Sequence, residues 1–247
     1  MLAIIGGSGL TRLSTLAVAH REVVRTPYGE PSSALVFGQI SGRDVMFIAR
    51  HGHGHTIPPH RVNYRANLWA LKDRGASAIL AVASVGGIAT AYRPGDLVLP
   101  DQLIDYTSGR EATFFDGSDR VVIHIDFTQP YSRVLREHCI AAASAAAIPL
   151  HDGGVYAAVS GPRLETAAEI DRLERDGATM VGMTGMPEAS LARELGVDYA
   201  AIAVIVNQAA GRGDSARAVS MAGIADVLES AMDRVRSLID RVVEFAP

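Results

Sequence analysis

The sequence predicts one α/β domain spanning residues 1–247, with a mixed central β-sheet surrounded by helices. Three observations carry that expectation. Short β-branched runs alternate with Ala-, Leu- and Arg-rich helical patterns along the chain, as in strands joined by helical crossovers. Several of those runs stop at glycine-rich turns, where open α/β sheets place their sites. Finally, 48% of the 247 residues are apolar, enough for a substantial core without metals or disulfides.

Taken in order, strands are predicted over residues 2–5, 34–39, 44–49, 78–83, 97–99, 153–160, 180–183 and 200–206, where β-branched and apolar residues cluster between turn signals. Helices are predicted over 63–74, 131–146, 165–176, 187–194 and 224–245. The last repeats apolar residues at Ile224, Val227, Leu228, Ala231, Val235, Leu238, Ile239 and Val242, a one-faced amphipathic helix. The connection over 105–126, with Tyr106, Phe114, Phe115 and His124, is too long for a plain link and reads as functional or interfacial. No internal repeat, low-complexity tract or linker interrupts the pattern.

Composition narrows the function classes. A formal net charge of −4 leaves no general basic footprint for nucleic acid. The start, Met1-Leu2-Ala3-Ile4-Ile5-Gly6-Gly7, has no basic region and meets glycine too soon for a signal peptide or a membrane span. The lone Cys139 excludes an intramolecular disulfide and reads as a small buried hydrophobe. A soluble cytoplasmic protein is expected.

Several junctions carry possible chemistry. Ile5-Gly6-Gly7-Ser8-Gly9-Leu10 puts a glycine turn directly after the first strand, where backbone N–H groups and the Ser8 hydroxyl can meet an anion. It lacks the third glycine of a dinucleotide loop and the Gly-Lys-Ser/Thr of an ATP loop, and an ordinary tight turn is the plain alternative. Arg50-His51-Gly52-His53-Gly54-His55 follows another strand. Three alternate histidines suggest a metal, but no carboxylate or thiolate accompanies them. Arg50 with His51 fits a dianion better, as a guanidinium fork plus an imidazole donor; a solvated loop is the remaining reading. Ser84-Val85-Gly86-Gly87 and Met183-Thr184-Gly185-Met186-Pro187-Glu188 are further strand-to-glycine junctions. Glu165 is expected at a helix start, where macrodipole compensation is the bland account and acceptance from a base N–H the functional one. Asn207 closes the strand 200–206 with both a donor and an acceptor, able to read a lactam edge.

Taken together, Ile5-Gly6-Gly7-Ser8-Gly9-Leu10, Ala49-Arg50-His51-Gly52, residues 59–67, Pro94-Gly95-Asp96, Gly161-Pro162-Arg163 through Thr166 and Gly182-Met183-Thr184 through Glu188 resemble the trimeric purine nucleoside phosphorylase/methylthioadenosine phosphorylase family across essentially the whole chain. The resemblance implies a homotrimer with sites at subunit boundaries and phosphorolysis of a nucleoside. It needs no metal or cofactor, with inorganic phosphate as co-substrate. It assigns Ser8, Arg50, His51, Ser84 and Thr184 to phosphate, although the family mainly uses a backbone N–H at Ser84. Met183 would lie under the ribose, and His124 would reach a neighbouring subunit's site. Leu164 replaces an aromatic residue that commonly packs on the base.

The resemblance also sets the specificity question. Members that prefer 6-aminopurines carry aspartates at the positions of Asn207 and Ala209. Here Asn207 with Glu165 suits a 6-oxopurine. Met221 stands where other members place a histidine against the 5′-hydroxyl, and Val219 and Met221 offer an apolar pocket suited to a methylthio group; core packing by Met221 is the alternative. Arg50, His51 and Asn207 are the expected catalytic groups. Rival readings are preference for methylthioadenosine or for ordinary purine nucleosides, a non-catalytic nucleotide-binding module, and a metallohydrolase using His51, His53 and His55.

Overall fold

The computed structural model describes residues 1–117 and 122–245. In chain order its strands are β1 (Leu2–Gly6), β2 (Ala17–Glu22), β3 (Leu35–Ile40), β4 (Arg43–Ala49), β5 (Ala78–Gly87), β6 (Leu97–Leu99), β7 (Gln102–Asp105), β8 (His151–Asp152), β9 (Val155–Ala158), β10 (Met180–Gly182) and β11 (Asp198–Gln208). The helices are α1 (Tyr64–Asp73), α2 (Arg133–Ala145), α3 (Ala167–Arg175), α4 (Gly185–Glu194) and α5 (Met221–Phe245). All the strands join one mixed sheet.

Alternation along the strands sends side chains into two apolar layers. In β1, Ala3 and Ile5 face one layer, while Leu2 and Ile4 face the other. β11 does the same with Ala201, Ala203 and Ile205 against Ala200, Ile202 and Val204. Leu68 and Leu71 of α1 and Leu191 of α4 cover the first layer. α5 covers the second with Val235, Leu238, Ile239 and Val242, the stripe its spacing predicts. Cys139 of α2 is fully buried there, and burial raises its thiol pKa to about 12.

Three strands escape the sequence reading. β2 is exposed along almost its whole length, so no buried face patterns it. β7 is four residues and β8 two, too short for periodicity to register. Two other elements are longer than expected: β5 continues to Gly87 and β11 to Gln208. Asn207 is therefore inside a strand rather than at a loop mouth, just past a register shift between Ile205 and Asn207. Residues 118–121 of the long connection lie outside the described residues.

One irregularity of the sheet positions the site. β5 pairs with β11 along one edge from end to end. On its other edge β1 pairs in parallel only with Ala78–Ala81, and β10 pairs antiparallel only with Gly86 and Gly87. The C-terminal ends of β1 and β10 therefore point towards each other across an unpaired stretch of β5. Such a break is a topological switch point, where backbone groups are left for a ligand. No helix among the described residues is long and apolar enough to cross a membrane.

Candidate active site

Over this break lies a cavity of about 410 Å³, lined by Ser8 after β1, Arg50 and His51 after β4, Ser84 in β5, and Met183 and Thr184 after β10. The size suits a small-molecule site. Leu164 and Glu165, Asn207 of β11, Val219 and, at the first residue of α5, Met221 also line it. Every site residue assigned from the resemblance lines this one cavity except His124, which is exposed and outside it.

At the anion end the fork of Arg50 is occupied. Its Nε and Nη2 each donate to Glu188 at 2.7 Å, and Nη1 donates to the Val82 carbonyl at 2.8 Å. Burial would lower the Arg50 pKa, but the Glu188 carboxylate outweighs it and holds the guanidinium charged. The Nε–Nη2 edge of the guanidinium is therefore taken by Glu188, and the N–H groups left on Nη1 and Nη2 are those that can meet an anion. Gly7 makes room for this arrangement. A Cβ there would sit 2.4 Å from the Val82 oxygen and 2.9 Å from Arg50 Nη1.

At His51 one ring nitrogen is already committed. Its Nδ1 lies 2.8 Å from the Ile57 carbonyl oxygen, which can only accept, so Nδ1 carries the proton. Burial first, and the neighbouring Arg50 charge second, push the ring's pKa down to about 4. Nε2 is then the uncommitted nitrogen, an acceptor in the neutral ring and a donor once a bound anion's charge favours the protonated one. His55 packs against it with ring centroids 4.4 Å apart and lines the same cavity, whereas His53 lines a separate depression beside Arg12 and Arg21. The three alternate histidines do not converge. No group of three metal-ligating side chains is found among the described residues.

Hydroxyl donors are better placed. Ser84 Oγ is buried without a partner. Thr184 is the N-cap of α4, yet its side chain makes no capping bond; its backbone N–H donates to the Tyr156 hydroxyl at 3.3 Å, and its own hydroxyl lies against the same oxygen. The Val82 carbonyl faces the break in the sheet, so strand alternation turns the backbone N–H of Ser84 to the same edge.

At the opposite end, Asn207 donates from Nδ2 to the Gln208 carbonyl at 2.6 Å. That bond orients the amide, leaving Oδ1 and the second N–H. Glu165 precedes α3 rather than starting it: Thr166 is the N-cap, closing a capping box with Glu169. The macrodipole account therefore applies to Glu169, while Glu165 is partly buried in the cavity wall and burial raises its pKa. Arg212 donates to Asp171 and Glu174, tying the segment after Asn207 to α3. Met221 is 65% exposed, which removes core packing as its explanation.

Sequence reasoning missed Thr56 and Pro58, which belong to the cavity, considered His55 only as a metal ligand, and missed Glu188 as the partner of Arg50. A buried acid in the first turn of a helix was the available signal; it takes the fold to reveal the arginine beside it.

The family model described as the phosphorylase superfamily matches residues 1–244. The chain belongs to that superfamily. A relative from Pseudomonas syringae pv. tomato, named probable S-methyl-5′-thioinosine phosphorylase, is 54% identical over 98% of this chain and 97% of its own. The 6-oxopurine nucleoside phosphorylase of Pyrococcus furiosus is 40% identical over 100% of this chain and 93% of its own. Among solved structures, a methylthioadenosine phosphorylase from Schistosoma mansoni in complex with adenine superposes with a TM-score of 0.94. It is 32% identical and aligns over 99% of this chain and 91% of that one.

Proposed function

We propose that the protein is a phosphorylase of 5′-methylthioinosine, releasing hypoxanthine and 5-methylthioribose 1-phosphate. The observation that carries this reading is the cavity itself: Asn207 and Glu165 share it with the apolar Val219 and Met221 and with the anion-facing Ser8, Arg50, Ser84 and Thr184. The names of the 54% and 40% identical relatives support the 6-oxopurine preference.

In this reading phosphate attacks the anomeric carbon as the purine departs. Positive charge grows on the sugar and negative charge on the base. The bound phosphate stabilises the first and the Asn207 amide, at N7 and O6, the second. Holding phosphate within attack distance supplies a further share of the rate. Glu165 accepts from N1–H, and adenine would leave both partners mismatched, at about 1–3 kcal/mol for an unpaired buried group. No cofactor enters the scheme.

The proposal extends to a homotrimer with sites at subunit boundaries. It is supported by the exposure of Val122 and Ile123 beside His124, apolar surface that a neighbouring copy would cover. A solution mass three times that of the chain is expected from light scattering. The buried free thiol of Cys139 fits a reducing, cytoplasmic compartment.

The deciding experiment compares phosphate-dependent base release from methylthioinosine, methylthioadenosine and inosine. Methylthioinosine should be cleaved with the highest kcat/KM. Fastest cleavage of methylthioadenosine would overturn the role given to Asn207, and binding without turnover would favour a non-catalytic module.

A further inference from the structure

The two side chains at the base end of the cavity stand on separate elements. Asn207 belongs to β11, which its ladder with β5 holds in place. Glu165 comes one residue before the Thr166 cap of α3 and moves with that helix. α3 lies outside both main apolar layers: its buried Ile170 and Leu173 pack in a small third cluster with Ile88, Ala157 and Ala209. Arg212, further along the segment that follows Asn207, spans the gap. Its Nη2 donates to Asp171 at 2.8 Å and to Glu174 at 2.7 Å, two carboxylates one turn apart on the same face of α3. We propose that Arg212 is a positioning residue for base recognition: it fixes the spacing between Asn207 and Glu165, and with it the choice among purines, a role that rests on the base-reading assignment of those two side chains.

The segment between them can transmit that tie. Gly211, at φ +78°, brings its backbone so close to α3 that a Cβ there would sit 2.8 Å from the Cβ of Ala167, the first residue of the helix. Back towards the sheet, the Ala209 N–H donates to the Gly87 carbonyl at 2.8 Å and the Arg212 N–H to the Ala209 carbonyl at 2.9 Å. The Gln208 side chain accepts from the Asp214 N–H at 2.8 Å, and the Gln208 carbonyl accepts from the Asn207 amide. Hydrogen bonds thus run without a gap from Asn207 to the two carboxylates of α3. The Arg212 side chain is 19% exposed and those of Asp171 and Glu174 are 59% and 49% exposed, and ion pairs open to water add little to global stability. Loss of the tie should therefore leave the fold in place and free α3 to shift relative to β11.

Calorimetric titration of the full chain with hypoxanthine, adenine and inorganic phosphate tests this without turnover. In Arg212→Met, hypoxanthine should bind about tenfold more weakly, and its preference over adenine should narrow by a similar factor. Phosphate should bind within about twofold of the native protein, and the urea midpoint should move little. Arg212→Lys, which keeps a charged nitrogen for the two carboxylates, should retain most of the preference. An unchanged hypoxanthine-to-adenine ratio in Arg212→Met would overturn the inference, as would a lysine variant no better than the methionine one. So would an equal loss of phosphate affinity or a methionine variant that does not fold, since either means that Arg212 serves the fold at large. If the native protein binds adenine the more tightly, the oxopurine reading fails. Loss of whichever base it prefers, at unchanged phosphate affinity, still decides the role of Arg212.

Discussion

Glu188 grips Arg50 through two parallel hydrogen bonds of 2.7 Å, with neither side chain more than 1% exposed. Tyr199 adds a third bond to the same carboxylate at 2.8 Å. Removing the acid alone leaves a buried cation without its counter-charge. Glu188→Ala is expected to lower unfolding free energy by about 3–5 kcal/mol, read from urea denaturation. Pairing it with Arg50→Met should recover much of that loss, because a neutral apolar side chain then replaces the stranded charge. A double variant as unstable as the single one would refute this account.

Asn207 governs which base is accepted. Asn207→Asp replaces its donor with a carboxylate, which should raise kcat/KM for methylthioadenosine relative to methylthioinosine by roughly tenfold or more. An unchanged ratio would count against the lactam-reading role.

The sugar end is separable from the base end. Met221 is 65% exposed at the first residue of α5, so Met221→His should shift stability by no more than about 0.5 kcal/mol. The imidazole offers a partner to a 5′-hydroxyl and removes apolar contact from a methylthio group. Inosine should gain on methylthioinosine by about tenfold in kcat/KM, measured on both substrates side by side.

Acid should destabilise the protein through His51. Its folded pKa of about 4 lies below the ordinary 6.5, so between those values the unfolded chain binds a proton that the native state refuses. The His51 contribution is complete above the ordinary value and is lost as pH falls towards 4, on the order of 3 kcal/mol in all. Glu165, raised by burial, acts in the opposite sense and offsets part of it. Urea midpoints taken from neutral to mildly acidic pH should fall more steeply for the native protein than for His51→Gln. Parallel slopes would contradict the assignment.

Much of this was legible in the sequence because glycine turns and apolar runs are local signals. The turn at Gly6–Gly9, the first part of β5, the amphipathic α5 and the residues of both pocket ends all leave such marks. What the sequence could not reveal is which polar group meets which. Arg50 and Glu188 are 138 residues apart, and only the meeting of β4 with α4 makes them a pair. The tautomer of His51 depends on the Ile57 carbonyl, a backbone atom with no residue-type signature. The exposed β2 carries no periodic pattern, since no core selects one.

The break along β5 has a mechanical consequence. β1 and β10 each bond to β5 but not to one another, so the halves of the sheet that they lead can shift apart or together without rupturing a ladder. An anion seated between Ser8 and Thr184 would act as a rivet across the seam, joining strand ends that no backbone hydrogen bond connects. Ligand-induced stiffening should concentrate there and leave the continuous β5–β11 spine as it was.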